Sequence, residues 1–165
     1  MAGKVIGQRL NIGYPGAVSR ACDAVIQSYP VAGGEIAFGA PVAYDAATGC
    51  VTPVTEETAA ESIIGIAARE VRQPYADDSA GWYYREGGVC NVLVRGSIIV
   101  SVKDTSDVTG RGAVHVGNGA GEVPAGAFVG KEVAGATIPM ANAIYSTGRV
   151  DADGAAEITL LERRI

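Results

Sequence analysis

The chain has 165 residues, with 13 Lys and Arg against 18 Asp and Glu and a formal net charge of −5. That balance speaks against nucleic acid or an anionic membrane as partner, because both select clustered positive charge. One domain of this length buries roughly 70% of its unfolded surface and needs no metal or disulfide staple, and 23 Gly and 7 Pro set between short β-branched runs point to an all-β domain.

Residues 1–30 read differently from the rest. "NIGYPGAVSRACDAVIQSYP" has little sustained periodicity and carries Gly13, Pro15, Gly16 and Pro30. It is expected to form an extended N-terminal arm with one short strand around Ala24–Ile26; the plainer reading is a frayed terminus. Residues 31–165 are expected to form a single β-rich domain.

From Gly34 onward the pattern is strand, turn, strand. "EIAFG" and "APVAYD" are short strands, and "DAATG" (45–49) is a hairpin loop whose Asp45 can bond its own backbone. "CVTPV" returns, with Pro53 marking an edge or strand end. Thr58 and Glu61 match a capping box, which places one helical turn near residues 56–61. "SIIGIAAREV" (62–71) is a buried strand, "QPYADDSAG" (73–81) a surface loop, and "WYYREGGV" leads into the long apolar run "NVLVRGSIIVSV" (91–102).

That run spans roughly 35–40 Å at about 3.3 Å per residue, well past the usual strand length. Val92, Val94, Gly96, Ile98, Val100 and Val102 form a core face. The opposite face carries Leu93, Arg95, Ser97, Ile99, Ser101 and Lys103 and is neither clean core nor clean surface. Leu93, Arg95 and Ile99 therefore meet either a sister subunit or a second layer of the same chain. Gly96 would permit a bend or bulge where the strand changes packing partner. Further strands are "GAVHV" (112–116), "GAFVGKEV" (126–133) and "NAIYSTGRV" (142–150). A hairpin turn, "DADG" (151–154), precedes a last strand with Ala156, Ile158 and Leu160 on one face. The expected fold is an all-β compact β-barrel or sandwich. A faint echo between "GAPVAY…CVTPV…IIGIA" and "RGAVHV…EVPAG…AFVGK" leaves a duplication open.

No segment makes a case for catalysis. His115 is the only histidine and alternates with Val114 and Val116 on a strand, with no serine or cysteine placed beside it. Asp151 and Asp153 look like the start of a calcium loop but lack the remaining spaced ligands, and turn chemistry explains them. Gly117–Gly121 resembles a phosphate loop by glycine count alone. No catalytic residue, metal site or cofactor is expected. Cys22, Cys50 and Cys90 are odd in number, far apart and without a CxxC pair, and read as reduced, buried, small hydrophobes of an intracellular protein. The N-terminal stretch has no unbroken apolar core of a secretory signal, and no run of about 18 apolar residues suggests a membrane span. Trp82, Tyr83 and Tyr84 cannot all face one core if extended, so at least one is expected to point outward, at an interface or over a second small core.

The order of these motifs resembles the structural cement proteins of tailed-bacteriophage heads. "YPGAVSR", "GAPVAYDAATGCVTPVT" with "IIGIAAREV", "VLVRGSIIVSV" and "GAFV…STGRVDADGAAEITLLERRI" carry the resemblance, from about Gln8 to Ile165. It implies a capsid decoration protein, without enzymatic activity, on the outer surface of the expanded head. Such a protein is made in the host cytoplasm and clamps neighbouring major capsid protein subunits against the pressure of packaged DNA. It implies a homo-oligomer, a trimer ahead of a dimer, and no nucleic-acid or membrane partner. Carried onto this chain, capsid contact falls on the arm at Arg9, Asn11, Tyr14, Pro15, Ser19 and Arg20. A subunit interface, read from the strand faces and the aromatic run rather than from the resemblance, is expected at Leu93, Arg95, Ile99 and Trp82. Other readings are another β-rich virion protein, such as a tail or baseplate component, or a small β-barrel enzyme or sugar-binding module favoured only by the three aromatics.

Overall fold

The structure is a computed structural model that describes residues 12–70 and 82–162. Its strands are β1 (Val18–Pro30), β2 (Ile36–Ala37), β3 (Pro41–Asp45), β4 (Cys50–Pro53), β5 (Ile63–Ala67), β6 (Tyr83–Tyr84), β7 (Val89–Asp104), β8 (Ala113–Gly117), β9 (Phe128–Val129), β10 (Thr137–Val150) and β11 (Ala155–Leu160). The expected surface loop at 73–81 lies outside the described residues.

β7 is the spine. Its C-terminal half pairs with β11 over Gly96–Ser101 and, in parallel, with β9 at Val102 and Asp104. β11 pairs with β10, β10 with β8, and β8 with β9, so the ring closes as a barrel with no open edge of its own. The N-terminal half of β7 pairs instead with β5, which leads to β3 and β4. The strand is long because it serves two packing units.

Two cores follow. Ile98, Val100 and Val102 fill the barrel with Val114, Val116, Phe128, Tyr145, Ile158 and Leu160. Cys90, Val92 and Val94 pack with Val42, Val51, Phe38 and Tyr84 in a second core. Leu93 belongs with the barrel residues although Ile98 lies five positions on, which an unbroken pleat would put on the opposite face. The reversal occurs at Gly96, whose φ is +116°, beside register shifts in the pairing with β1. The bend expected at Gly96 is present.

Several expectations need correction. The stretch with one short strand at Ala24–Ile26 is a 13-residue strand, β1, hydrogen-bonded along β7 from Val18 opposite Ile98 to Pro30 opposite Val89. Its side chains are largely exposed, which made it read as irregular. The helical turn is a 3-10 turn at Ala60–Ser62 without a side-chain cap. Thr58 Oγ1 instead accepts a hydrogen bond from Thr55 N–H at 2.8 Å. "EIAFG" contributes only the two strand residues Ile36 and Ala37, which pair with Tyr83 and Tyr84 as a separate small sheet, β2–β6. Of the three cysteines only Cys90 is buried; Cys22 is exposed and Cys50 intermediate, all as free thiols.

Candidate functional site

The segment before β1 determines what the surface presents. Tyr14-Pro15-Gly16-Ala17 forms a tight turn, with Ala17 N–H donating to the Tyr14 carbonyl at 2.9 Å. Proline pre-sets φ at the second position of such a turn, and the third demands a positive φ; Gly16 supplies +84°. The turn tip is pinned on both sides. Gly16 N–H donates to the Ile99 carbonyl at 2.8 Å, and the Gly16 carbonyl accepts from Arg69 N–H at 2.7 Å. One anchor belongs to β7 and the other follows β5, so the turn ties the barrel to the β5–β3–β4 unit.

Two further clips hold the segment. Ile12 N–H donates to Asp151 Oδ2 at 3.1 Å. Ser19 Oγ and Arg20 Nε donate to Glu157 Oε1 at 2.6 and 3.1 Å. Glu157 lies on β11 and is 8% exposed, so its charge requires these donors. Of the residues assigned to capsid contact, Ser19 and Arg20 thus anchor the chain to itself. Arg20 keeps much of its side chain in solvent.

The pinned turn leaves Tyr14 66% exposed, and Trp82 is 59% exposed nearby. Between them lies Arg69, its guanidinium carbon 5.0 Å from the Tyr14 ring centroid and 4.1 Å from that of Trp82. Both distances are within cation–π range. Pro15, Ala37 and Phe38 complete an open groove of about 390 Å³ against these three. Trp82 is the outward member of the aromatic run, whereas Tyr84 is fully buried and stacks edge-on with Phe38 at 5.0 Å between centroids. Its hydroxyl donates to the Ala68 carbonyl.

Tyr14, Pro15 and Trp82 are therefore brought together, while Arg69, Ala37 and Phe38 were not foreseen. The available signal for Arg69 was its position directly after the buried run Ile63–Ala68, where a charge must leave the core. Leu93 and Ile99 are 0% and 1% exposed within the single chain. The chain's own packing buries them, so they give no surface to a sister subunit. Arg95 is exposed and contacts Asp23 at 3.0 Å, a solvent-screened pair of small energetic weight. Arg9 and Asn11 lie outside the described residues.

The candidate chemical sites resolve as local structure. Asp151 Oδ1 accepts N–H bonds from Asp153 and Ala155 at 3.0 and 2.8 Å, which is turn chemistry. Desolvation pushes this carboxyl up, but the donations from Ala155, Ile12 and Asp153 together outweigh it and hold it below the ordinary 3.8. In the hairpin loop, Thr48 Oγ1 and Ala47 N–H donate to Asp45 and lower its carboxyl in the same sense. His115 is half-buried on β8 opposite Pro139 and Val129. Among the described residues, no three His, Cys, Asp or Glu side chains are grouped to hold a metal ion. No described helix is long and apolar enough to cross a membrane.

A family model described as structural cement protein (E217 gp24/Pam3 gp6) matches residues 3–161. Among solved structures, a chain from "The capsid of Myoviridae Phage XM1" is similar at a TM-score of 0.73 and 18% identity, with 100% of each chain covered. At that identity the likeness concerns the fold. A search of curated proteins returns no match.

Proposed function

Because this chain belongs to the phage structural cement protein family, with a structural role in the capsid, we propose that it docks on the outside of the expanded head and clamps neighbouring major capsid protein subunits. The observation that carries this reading is the pinned turn at Tyr14–Ala17. It holds Tyr14 beside Trp82 as an exposed aromatic pair, the two most exposed of the large apolar side chains among the described residues. Exposed aromatics held in fixed rotamers make interface anchors at low entropic cost.

The clamp is mechanical. A protein that binds the expanded shell and not its precursor stabilises the expanded form by mass action. Several subunits acting together multiply weak single contacts. A closed homo-oligomer, a trimer ahead of a dimer, suits that role, with Arg95 as its remaining candidate interface residue, since Trp82 belongs to the shell-facing pair. The protein then occupies the outer surface of the virion after synthesis in the host cytoplasm, and no enzymatic step is needed.

The test is co-sedimentation of the purified chain with unexpanded and expanded heads that lack it, followed by heating. Saturable binding to expanded heads alone, with a raised temperature of head disruption, is the expected result. Equal binding to both forms, or none, would overturn it.

A further inference from the structure

Arg69 places its guanidinium over two exposed aromatic rings. The Tyr14 and Trp82 rings flank the guanidinium at 5.0 and 4.1 Å. Among the described residues its side chain makes no hydrogen bond or ion pair, although its backbone N–H is engaged by Gly16. The neighbouring Glu70 accepts from Asn91 Nδ2 through Oε1. A guanidinium presents its donors in its own plane, so stacking leaves the whole fork available while freezing its orientation. Pro15, Ala37 and Phe38 supply an uncharged floor beside it, and Arg69 is the one charge among the groove-lining residues.

We propose that this stacked Arg69 is a receptor for a carboxylate side chain of the shell protein, presented next to an apolar residue that enters the Pro15–Phe38 groove. The proposal rests on the docking function above and names the chemistry of its contact. Charge complementarity favours it. The chain carries a net −5, so an acidic segment of a partner is repelled by most of this surface and attracted to a preorganised cation without an ion-pair partner among the described residues. Stacking removes the rotamer entropy that a free arginine would lose on binding. The rings also shield the ion pair from water, which strengthens it.

The experiment measures affinity for expanded heads of the unaltered chain and of Arg69→Gln, Arg69→Lys and Trp82→Ala, with melting temperature and native mass recorded for each. The expected result is a loss of about tenfold or more for Arg69→Gln, the range of a charge-assisted hydrogen-bonded pair, with unchanged melting and native mass. Arg69→Lys should recover only a minor part, since an ammonium lacks the planar fork. Trp82→Ala should weaken binding through lost preorganisation. Neutralising the matching Asp or Glu on the shell protein should reproduce the Arg69→Gln loss and add nothing to it.

Tight binding by Arg69→Gln, with the unaltered chain also binding, overturns the receptor and leaves the docking function standing. Failure of the unaltered chain to bind overturns both. A change of native mass in Arg69→Gln with undiminished shell binding overturns the proposal by assigning the carboxylate to a second copy of this chain.

Discussion

Gly16 and Gly39 cross in backbone contact. A Cβ on Gly39 would lie 2.7 Å from Gly16 N and 2.8 Å from Pro15 Cβ, and a Cβ on Gly16 would lie 2.9 Å from Gly39 N. Both residues hold positive φ, +84° and +79°. The crossing lets the turn reach Ile99 on one side and Arg69 on the other. Gly39→Ala should destabilise by about 1–3 kcal/mol through strain and overpacking. In a domain of this size that lowers the melting temperature by about 2–4 °C per kcal/mol. Because the same contact positions Tyr14, shell binding should fall along with it. A variant that melts unchanged would show that the turn can lift away without cost.

How far this surface could be read from sequence depends on how local its causes are. The hairpin at Asp45–Gly49 was legible because Asp45 organises it alone, accepting from Ala47 and Thr48. The Asp151 turn was legible for the same reason, and the long β7 because an apolar run of that length admits few alternatives. β1 was not, because its stability comes from pairing with a strand some seventy residues away (Val18 opposite Ile98, Gln27 opposite Val92), and its own side chains face solvent. Leu93 and Ile99 were left open between two partners since the alternation rule names faces, not what covers them. The Tyr14–Arg69–Trp82 stack joins three separate segments, so no window of sequence contains it.

Glu157 should prove a structural carboxylate. Its Oε1 takes Ser19 Oγ and Arg20 Nε while the residue is nearly buried. Glu157→Ala removes the acceptor and leaves the start of β1 unclipped, at an expected cost of about 1–3 kcal/mol. Glu157→Gln retains an acceptor oxygen for Ser19 and should cost less. The check is chemical denaturation of both variants, with limited proteolysis near residue 20. Stability of both variants equal to that of the unaltered chain would mean that neither hydrogen bond contributes, and that the strand is held by its ladder with β7 alone.

Asp151 links stability to acid. Its carboxyl sits below the ordinary 3.8 in the folded chain because three backbone donors hold the ionised form. A group lowered on folding contributes stability that is complete above its unfolded value and is lost as pH falls through the folded one. The clip to Ile12 N–H should therefore persist at neutral pH and weaken below about pH 4. Asp151→Ala should reduce stability at pH 7 and flatten its decline toward pH 2. Hydrogen exchange at Ile12 N–H, accelerating between pH 4 and pH 2 after correction for intrinsic rates, would report the clip directly. If the variant and the unaltered chain lose stability in parallel across that range, another carboxylate governs the acid transition.

Tyr145 gives the opposite sign at the other end of the pH scale. It is fully buried in the barrel on β10, and its hydroxyl makes no hydrogen bond among the described residues. Burial pushes the phenol well above its ordinary 10.0, since a phenolate inside the barrel would be a desolvated charge. A group raised on folding contributes stability that is complete below its unfolded value and is lost as pH rises toward the folded one. Stability should thus decline from about pH 10 upward. Tyr145→Phe keeps the ring that fills the barrel beside Ile158 and Leu160 and removes an unsatisfied hydroxyl, whose burial costs about 1–3 kcal/mol. The variant should match or exceed the stability of the unaltered chain at pH 7 and should lose less of it between pH 10 and pH 12. A loss above about 1 kcal/mol at pH 7 would instead show that the hydroxyl is hydrogen-bonded in solution, to a water inside the barrel. Thermal unfolding at pH 7 and pH 11 separates the two outcomes, because only a satisfied hydroxyl makes phenylalanine the weaker residue at neutral pH.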